Sequence, residues 1–194
     1  MTRPFADLPA SAAWRHQDAR VGFEVLFASR DANGIRLEGH STAVEEGVAW
    51  SISYTLVLDT HWRTRSARVV GRSSLGGNEV LLEGDAGEWR VDGRPAPELS
   101  GCFDVDLEAS ACTNLLPVRR LALQVGERAE APAAYVRAED LRVERLEQSY
   151  TRLADVGGHA HYDYASPGFD FRATLVFDAF GLVVDYPGIA VRVA

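Results

Sequence analysis

The sequence predicts a mainly β protein, and three observations carry that expectation. Apolar and polar residues alternate with a period of two in four stretches, turn-forming residues punctuate the gaps, and helical spacing is confined to one segment. From Trp50 the even positions read Trp50, Ile52, Tyr54, Leu56 and Leu58, with Ser51, Ser53 and Thr55 between them. From Phe169 the odd positions read Phe169, Phe171, Ala173, Leu175 and Phe177, against Asp170, Arg172 and Thr174. Leu99, Gly101, Phe103, Val105 and Leu107 alternate with Ser100, Cys102, Asp104 and Asp106, and Ile35, Leu37 and Ala43 with Arg36, Glu38, His40 and Thr42. Such rows belong to strands with one apolar and one wet face. Asn33-Gly34, Gly76-Gly77-Asn78, Asp85-Ala86-Gly87, Asp92-Gly93, Gly157-Gly158 and Pro187-Gly188 supply the turns of a meandering antiparallel sheet.

Two segments resist this reading. Ala109 to Arg120 lacks alternation and contains Pro117, which predicts a turn or short helix before Leu121, Leu123 and Val125 resume a strand. Val143, Leu146, Tyr150 and Leu153 are spaced three, four and three apart, which by periodicity alone makes 140–155 an amphipathic helix. The length of 194 residues fits one domain, 1–194, with no linker-like break.

Composition excludes several classes. At 46% hydrophobic and 25% charged residues the chain is globular, not disordered. A formal charge of −8 speaks against a sequence-blind nucleic-acid partner, since phosphate binding needs surplus cation. No apolar run approaches the length of a spanning helix, so stable membrane insertion is not expected, and Pro4 and Asp7 stand where a signal peptide has its apolar core. The expected location is the cytoplasm. There Cys102 and Cys112 are expected as buried reduced thiols, not a disulfide. All 20 cations are arginine, so a Schiff-base lysine and a lysine-bearing phosphate loop are both absent.

The remaining residues offer several chemistries. No G-x-S-x-G elbow occurs and no cysteine neighbours a histidine, so no local pattern supports acyl transfer. His159, His161 and Asp163 share a strand face as metal ligands would, but solvated loop-edge side chains are the simpler reading, and no metal or other cofactor is expected. Asp104 and Asp106, about 7 Å apart on one face, could approach glycosidase spacing. They fall on the polar face, which favours solvated acids or arginine partners. Acid–base chemistry would require an apolar pocket and a raised pKa for one of them. If a strand begins near Val118, Arg119 lies on its apolar row, paired internally with Asp104 or Asp106 or open to a carboxylate or phosphate. Trp50, Trp62, Trp89, Tyr150, Tyr162, Tyr164 and Tyr186 add amphipathic faces on which sugar rings can stack.

Leu99-Ser100-Gly101-Cys102-Phe103-Asp104-Val105-Asp106-Leu107, followed by Thr113-Asn114-Leu115-Leu116-Pro117-Val118-Arg119-Arg120-Leu121, resembles the bacterial putative glycolipid-binding family. Leu58-Asp59 with Trp62, Glu88-Trp89, the 148–153 segment QSYTRL, Tyr162, Tyr164 and the run from Phe177 to Pro187 extend the likeness along most of the chain. The resemblance implies a single curved antiparallel sheet forming a half-open barrel, similar to periplasmic lipoprotein carriers, with 111–120 as a plug and 143–153 as strand. The family's glycolipid role is itself inferred from that fold likeness, and a fold hosts many activities.

Together these readings predict a non-catalytic binder of a small amphipathic ligand, a glycolipid or acyl compound. Its apolar rows Trp50–Leu58 and Phe169–Phe177 would line a hollow, with a head group at Arg119, Asn114, Trp62, Asp104, Asp106, Arg120 and Tyr186. The alternatives are a hydrolase using Asp104 and Asp106, and an interaction module whose hollow is filled by its own side chains.

Overall fold

The computed structural model describes residues 5–18, 20–32, 34–74 and 76–194. Strands β1 (Ser11–His16), β2 (Val21–Arg30), β3 (Ile35–Glu45), β4 (Val48–Leu58), β5 (Thr64–Ser73), β6 (Gly76–Asp85), β7 (Glu88–Val91) and β8 (Arg94–Pro95) each pair antiparallel with the next. The chain then enters the hollow of this meander as β9 (Asp104–Leu107) and the helix α1 (Leu115–Leu121). It leaves through β10 (Arg128–Glu130), β11 (Ala133–Val136) and β12 (Val143–Leu146), and a second meander follows: β13 (Ser149–Arg152), β14 (Ala160–Ser166), β15 (Phe171–Phe177), β16 (Val183–Tyr186) and β17 (Ala190–Arg192). Because β17 pairs with β1, the two meanders form one antiparallel sheet, 14-stranded among the described residues, running from β10 to β8. Its ends do not meet, so the barrel is half open. A second sheet, β12-β11-β9, lies apart from it, and its β9–β11 pair is parallel, a departure from a purely antiparallel expectation.

The predicted rows hold where one face is buried. In β3, Ile35, Leu37, Gly39, Ser41 and Ala43 point inward against exposed Arg36, Glu38, His40 and Thr42, and in β4 Ile52, Tyr54, Leu56 and Leu58 are buried. Two-residue turns close the hairpins flanking β7: Ala86-Gly87 and Asp92-Gly93 all have positive φ, as the twist of a tight hairpin requires. The predicted turn at Asn33-Gly34 lies partly outside the described residues, since Asn33 is not among them.

The hollow is largely filled. Leu115 and Leu116 of α1 join a core with Leu37, Leu56 and Leu82, while Val118 joins a second core with Tyr150, Tyr162 and Phe177. Leu115 through Arg119 are all buried, the mark of a helix enclosed on every side. Pro117 sits in the first turn, where no intrahelical N–H bond is lost, and Ala122, at φ 45°, ends the helix. The segment predicted as a plug is therefore helical. Leu121 is its last residue, and the strand expected through Leu123 and Val125 does not form, because the chain turns out of the hollow there. The strand expected over Leu99–Leu107 is reduced to β9, preceded by a 3-10 turn at Pro97–Leu99. Over 143–153 the resemblance is correct and the periodicity misleads: Leu146 and Tyr150 are buried in two different sheets, whose break at Glu147-Gln148 mimics helical spacing.

One buried carboxylate pins the plug. Glu24 of β2 has no solvent exposure and accepts hydrogen bonds from Tyr54 Oη (2.6 Å), Ser110 Oγ, Ala111 N (2.8 Å) and Cys112 N (3.4 Å). Burial pushes its pKa up, against four donors that favour the anion. Tyr54 reaches across β3 only because Gly39 lies beneath it: a Cβ there would stand 2.0 Å from Tyr54 Cζ. Glu24→Ala should cost about 3–5 kcal/mol by leaving these donors buried and unbonded. Gly39→Ala, which evicts the tyrosine, should cost about 1–3 kcal/mol. Both are read as falls in urea midpoint, and a change under about 0.5 kcal/mol for either would mean that Glu24 does not anchor the plug.

Candidate functional site

Cavities lie beside both ends of the plug, and they separate several of the predicted site residues. The first, of about 240 Å³, lies beside the start of the plug, with Ser110 and Asn114 on its wall. The small sheet contributes Asp106 from β9 and Tyr135 from β11, and the large sheet Tyr164 from β14, Phe171 from β15 and Tyr186 from β16. Tyr164, Phe171 and Tyr186 form a triangle of tilted or edge-on rings with centroids 6.0–6.1 Å apart. Inward-facing positions of three successive strands thus supply one aromatic wall, as the period of two dictates.

Asp106 is the polar centre of this pocket. It is 9% exposed, and Thr113 Oγ1 donates to its Oδ1 at 2.7 Å. Among the described residues no arginine or histidine forms an ion pair with it. Burial raises its pKa to about 6, with the charges of Asp104 and Glu108 pushing the same way and the Thr113 bond opposing. The amide of Asn114 is already engaged: Nδ2 donates to Ala111 O (3.3 Å) and Oδ1 accepts from Tyr150 Oη (2.8 Å). At the rim, the guanidinium of Arg20 stacks on Trp50 (5.3 Å), and its Nη1 is buried without a hydrogen-bond partner. The pocket therefore offers a proton-accepting carboxyl, a spare donor and an aromatic wall.

Asp104 belongs to neither cavity. Arg120 grips it through Nε–Oδ1 (3.0 Å) and Nη2–Oδ2 (2.5 Å), a closed fork with Asp104 1% exposed. The expected polar face for Asp104 and Asp106 is thus corrected. Every residue of β9 is buried, because this strand lies inside the hollow and not on its wall. The internal arginine pair exists, but it uses Arg120; Arg119 sits on a helix, not on a strand row, and points the other way.

Arg119 and Trp62 line the second cavity, of about 550 Å³, together with Leu8, Ala28, Arg30 and Ile35. The Arg119 guanidinium lies 4.0 Å from the Trp62 ring centroid and 5.4 Å from that of Phe5. Nη1 donates to Ala6 O (3.0 Å) and Phe180 O (2.5 Å), while Nε is buried without a partner. Burial and the nearby charge of Arg30 pull its pKa down to about 10. Of the residues expected to hold one head group, then, Asp106, Asn114 and Tyr186 share a pocket, Arg119 and Trp62 share another, and Asp104 and Arg120 neutralise each other.

Other candidates resolve simply. Cys102 and Cys112 are free and buried, and burial pushes the Cys102 thiol up to about 11. His161 Nδ1 lies 3.2 Å from the His159 carbonyl oxygen, and among the described residues no three His, Cys, Asp or Glu side chains gather as a metal set. Sequence reasoning missed Glu24, Arg20 and Tyr135. A signal existed for Glu24, a lone acid in the row Gly22, Glu24, Leu26, Ala28, but the other row of that strand, Val21, Phe23, Val25 and Phe27, is the more apolar.

Residues 11–192 match the family described as "Putative glycolipid-binding". The chain belongs to this family. It is also similar to the crystal structure of a DUF1089 family protein from Pseudomonas aeruginosa, at 33% identity and a TM-score of 0.75, over 88% of this chain and 92% of that one. No curated protein matches the chain.

The pKa of Asp106 carries a stability consequence. Its folded value of about 6 exceeds the ordinary 3.8, so its contribution favours folding below about pH 4 and is lost as pH rises through about 6. Asp106→Asn, which keeps an acceptor for Thr113, should be more stable than the parent at about pH 7 by up to about 3 kcal/mol and converge with it near pH 4. Urea denaturation across that range measures the gap; a gap independent of pH would show that Asp106 does not titrate in this window.

Proposed function

We propose that the protein binds the sugar head of a glycolipid-type amphiphile in the pocket around Asp106, without catalysis. The observation that carries this reading is a buried carboxyl with no cationic partner among the described residues, set in a wall of Tyr164, Phe171 and Tyr186. Sugar rings present hydroxyl donors at their edges and C–H faces above and below. A carboxylate takes the first and aromatic rings take the second. Arg20 Nη1 adds a donor for a ring or glycosidic oxygen. The volume of about 240 Å³ lies below the roughly 300 Å³ at which pockets begin to enclose drug-sized ligands, so the pocket suits a head group and not a whole lipid. The apolar rows expected to hold an acyl chain are mostly packed against the plug. The first methylenes of a bound chain would follow Phe169, Phe171 and Ile189 outward. The family's description and the presence of unfilled space on both sides of the plug support a binder over a filled interaction module.

A second reading, hydrolysis of the same ligand, draws on the raised pKa of Asp106, the property of a general acid near neutral pH. Its expected partner, Asp104, is held by Arg120, which leaves Glu108 on the same pocket as the other carboxylate. Octyl glucoside below its micelle concentration separates the readings. Calorimetry should show binding that Tyr186→Leu and Asp106→Asn each weaken about tenfold or more, with no free glucose released. Unchanged affinity in both variants would remove the sugar from this pocket. Glucose release that Asp106→Asn abolishes would establish the hydrolase.

A further inference from the structure

The second cavity holds a charge that the protein does not neutralise. Arg119 is 9% exposed, yet among the described residues no carboxylate lies within ion-pair distance of it. The acids in its neighbourhood are committed elsewhere. Asp178 binds Arg192 through Oδ2 (2.8 Å) and accepts from Phe180 N and Leu182 N through Oδ1, while Asp7, with its side chain 91% exposed, contacts Arg30 at 3.4 Å. Two backbone carbonyls accept from Nη1 but carry no net charge, and among the described residues Nε has no partner and Nη2 makes no hydrogen bond. Arg30 faces the same space together with its exposed partner Asp7, so the cavity keeps a net positive charge at Arg119. Buried guanidinium groups are ordinarily paired, because desolvating one without an anion is costly.

The platform beneath Arg119 is built with some strain. Trp62 has φ 67°, a left-handed backbone that bulky residues rarely adopt. Asp59 enforces it: its carbonyl accepts from Trp62 N (3.1 Å), and its Oδ1 accepts from His61 N (2.8 Å) and Arg63 N (3.0 Å). The turn so fixed lays the indole against the guanidinium, which orients the fork toward the cavity. Leu8, Ala28 and Ile35 form an apolar strip beside the polar Asp7 and Ser29, and the volume of about 550 Å³ lies within the range that encloses small organic ligands.

We propose that this cavity is a second binding site, for an anionic amphiphile whose carboxylate or phosphate head pairs with Arg119 and Arg30 while its alkyl chain packs on Leu8, Ala28, Ile35 and Trp62. The site is separate from the sugar pocket and does not rest on it, since the two open at opposite ends of the plug. A pair of oxygens on a carboxylate or phosphate matches a guanidinium fork better than a sugar hydroxyl does, and charge-assisted bonds formed out of water exceed neutral ones.

The test compares decanoate, decyl phosphate, decyl glucoside and inorganic phosphate, each by calorimetry on the full chain and below micelle concentrations. Decanoate and decyl phosphate should bind about ten- to a hundredfold more tightly than inorganic phosphate, and should still bind when octyl glucoside saturates the sugar pocket. Arg119→Gln should weaken the two anionic amphiphiles about tenfold or more and leave decyl glucoside unchanged. Because Arg119 also tethers Ala6 and Phe180, the exposed Arg30→Gln serves as a second variant, expected to weaken the anions about threefold with the fold intact. Loss of discrimination between anionic and neutral heads in the parent, or full anion affinity in both variants, would overturn the site. Inorganic phosphate binding as tightly as decyl phosphate would overturn the amphiphile and leave a plain oxyanion site. Competition between decanoate and octyl glucoside would overturn the claim that the two sites are separate.

Discussion

The position of the plug depends on Glu24. A carboxyl group removed wholly from water is tolerable only when its oxygens are hydrogen-bonded, and here the donors come from two directions: Tyr54 from the sheet, and Ser110, Ala111 and Cys112 from the plug entry. Any slide of the plug along the hollow would strip donors from this carboxyl group, so the bond set selects one register where apolar packing alone would accept several. The consequence is geometric. α1, seven residues long, spans about 10 Å, whereas β2, ten residues long, runs about 33 Å. A plug pinned part-way along a longer trough leaves space at both ends, and the two cavities occupy it. Arg20, just before β2, borders one cavity, and Ala28 to Arg30, at its end, border the other.

Much of the sheet was legible because the hollow gives most strands one dry face. β3 and β4 carry their burial in plain alternation, and the turn pairs around β7 mark their hairpins without help from tertiary structure. β2 breaks the rule in an instructive way. Its more apolar row is the outer one, with Phe23 and Phe27 each 53% exposed, and its inner row contains the acid that holds the plug. Local hydrophobicity would have faced this strand the wrong way; the need to satisfy Glu24 decides its orientation. β9 fails for a different reason. Lying inside the trough, it has no wet face, so the alternation of Phe103, Val105 and Leu107 with Asp104 and Asp106 reports nothing about solvent.

The candidate site was legible by residue but not by grouping. Reading Arg119 as part of a strand placed it near Asp104 and Asp106. On a helix, adjacent residues diverge by about 100°, so Arg119 and Arg120 reach opposite surroundings and only Arg120 finds the acid. Asp104 and Asp106 do share a strand, but their partners differ, and partners set their chemistry: one is clamped by a guanidinium and the other is held by a single hydroxyl. Tyr135 and Arg20 carried no sequence signal, because their relevance arises from the parallel pairing of β11 with β9 and from the entry to β2, neither of which leaves a local pattern.

The distribution of buried charge is the strongest support for the two proposed sites. Among the described residues Asp106 has no cation and Arg119 no anion in ion-pair contact, and the two are only thirteen positions apart in the sequence. A fold selected for stability alone could have joined them, as it joined Asp104 to Arg120, and so avoided two uncompensated desolvations. Instead the plug separates them, so that each lines a cavity at its own end with an aromatic surface beside it: Tyr164 and Tyr186 for the carboxyl, Trp62 for the guanidinium. Buried opposite charges kept apart, each with room before it, are what the two proposed sites would use.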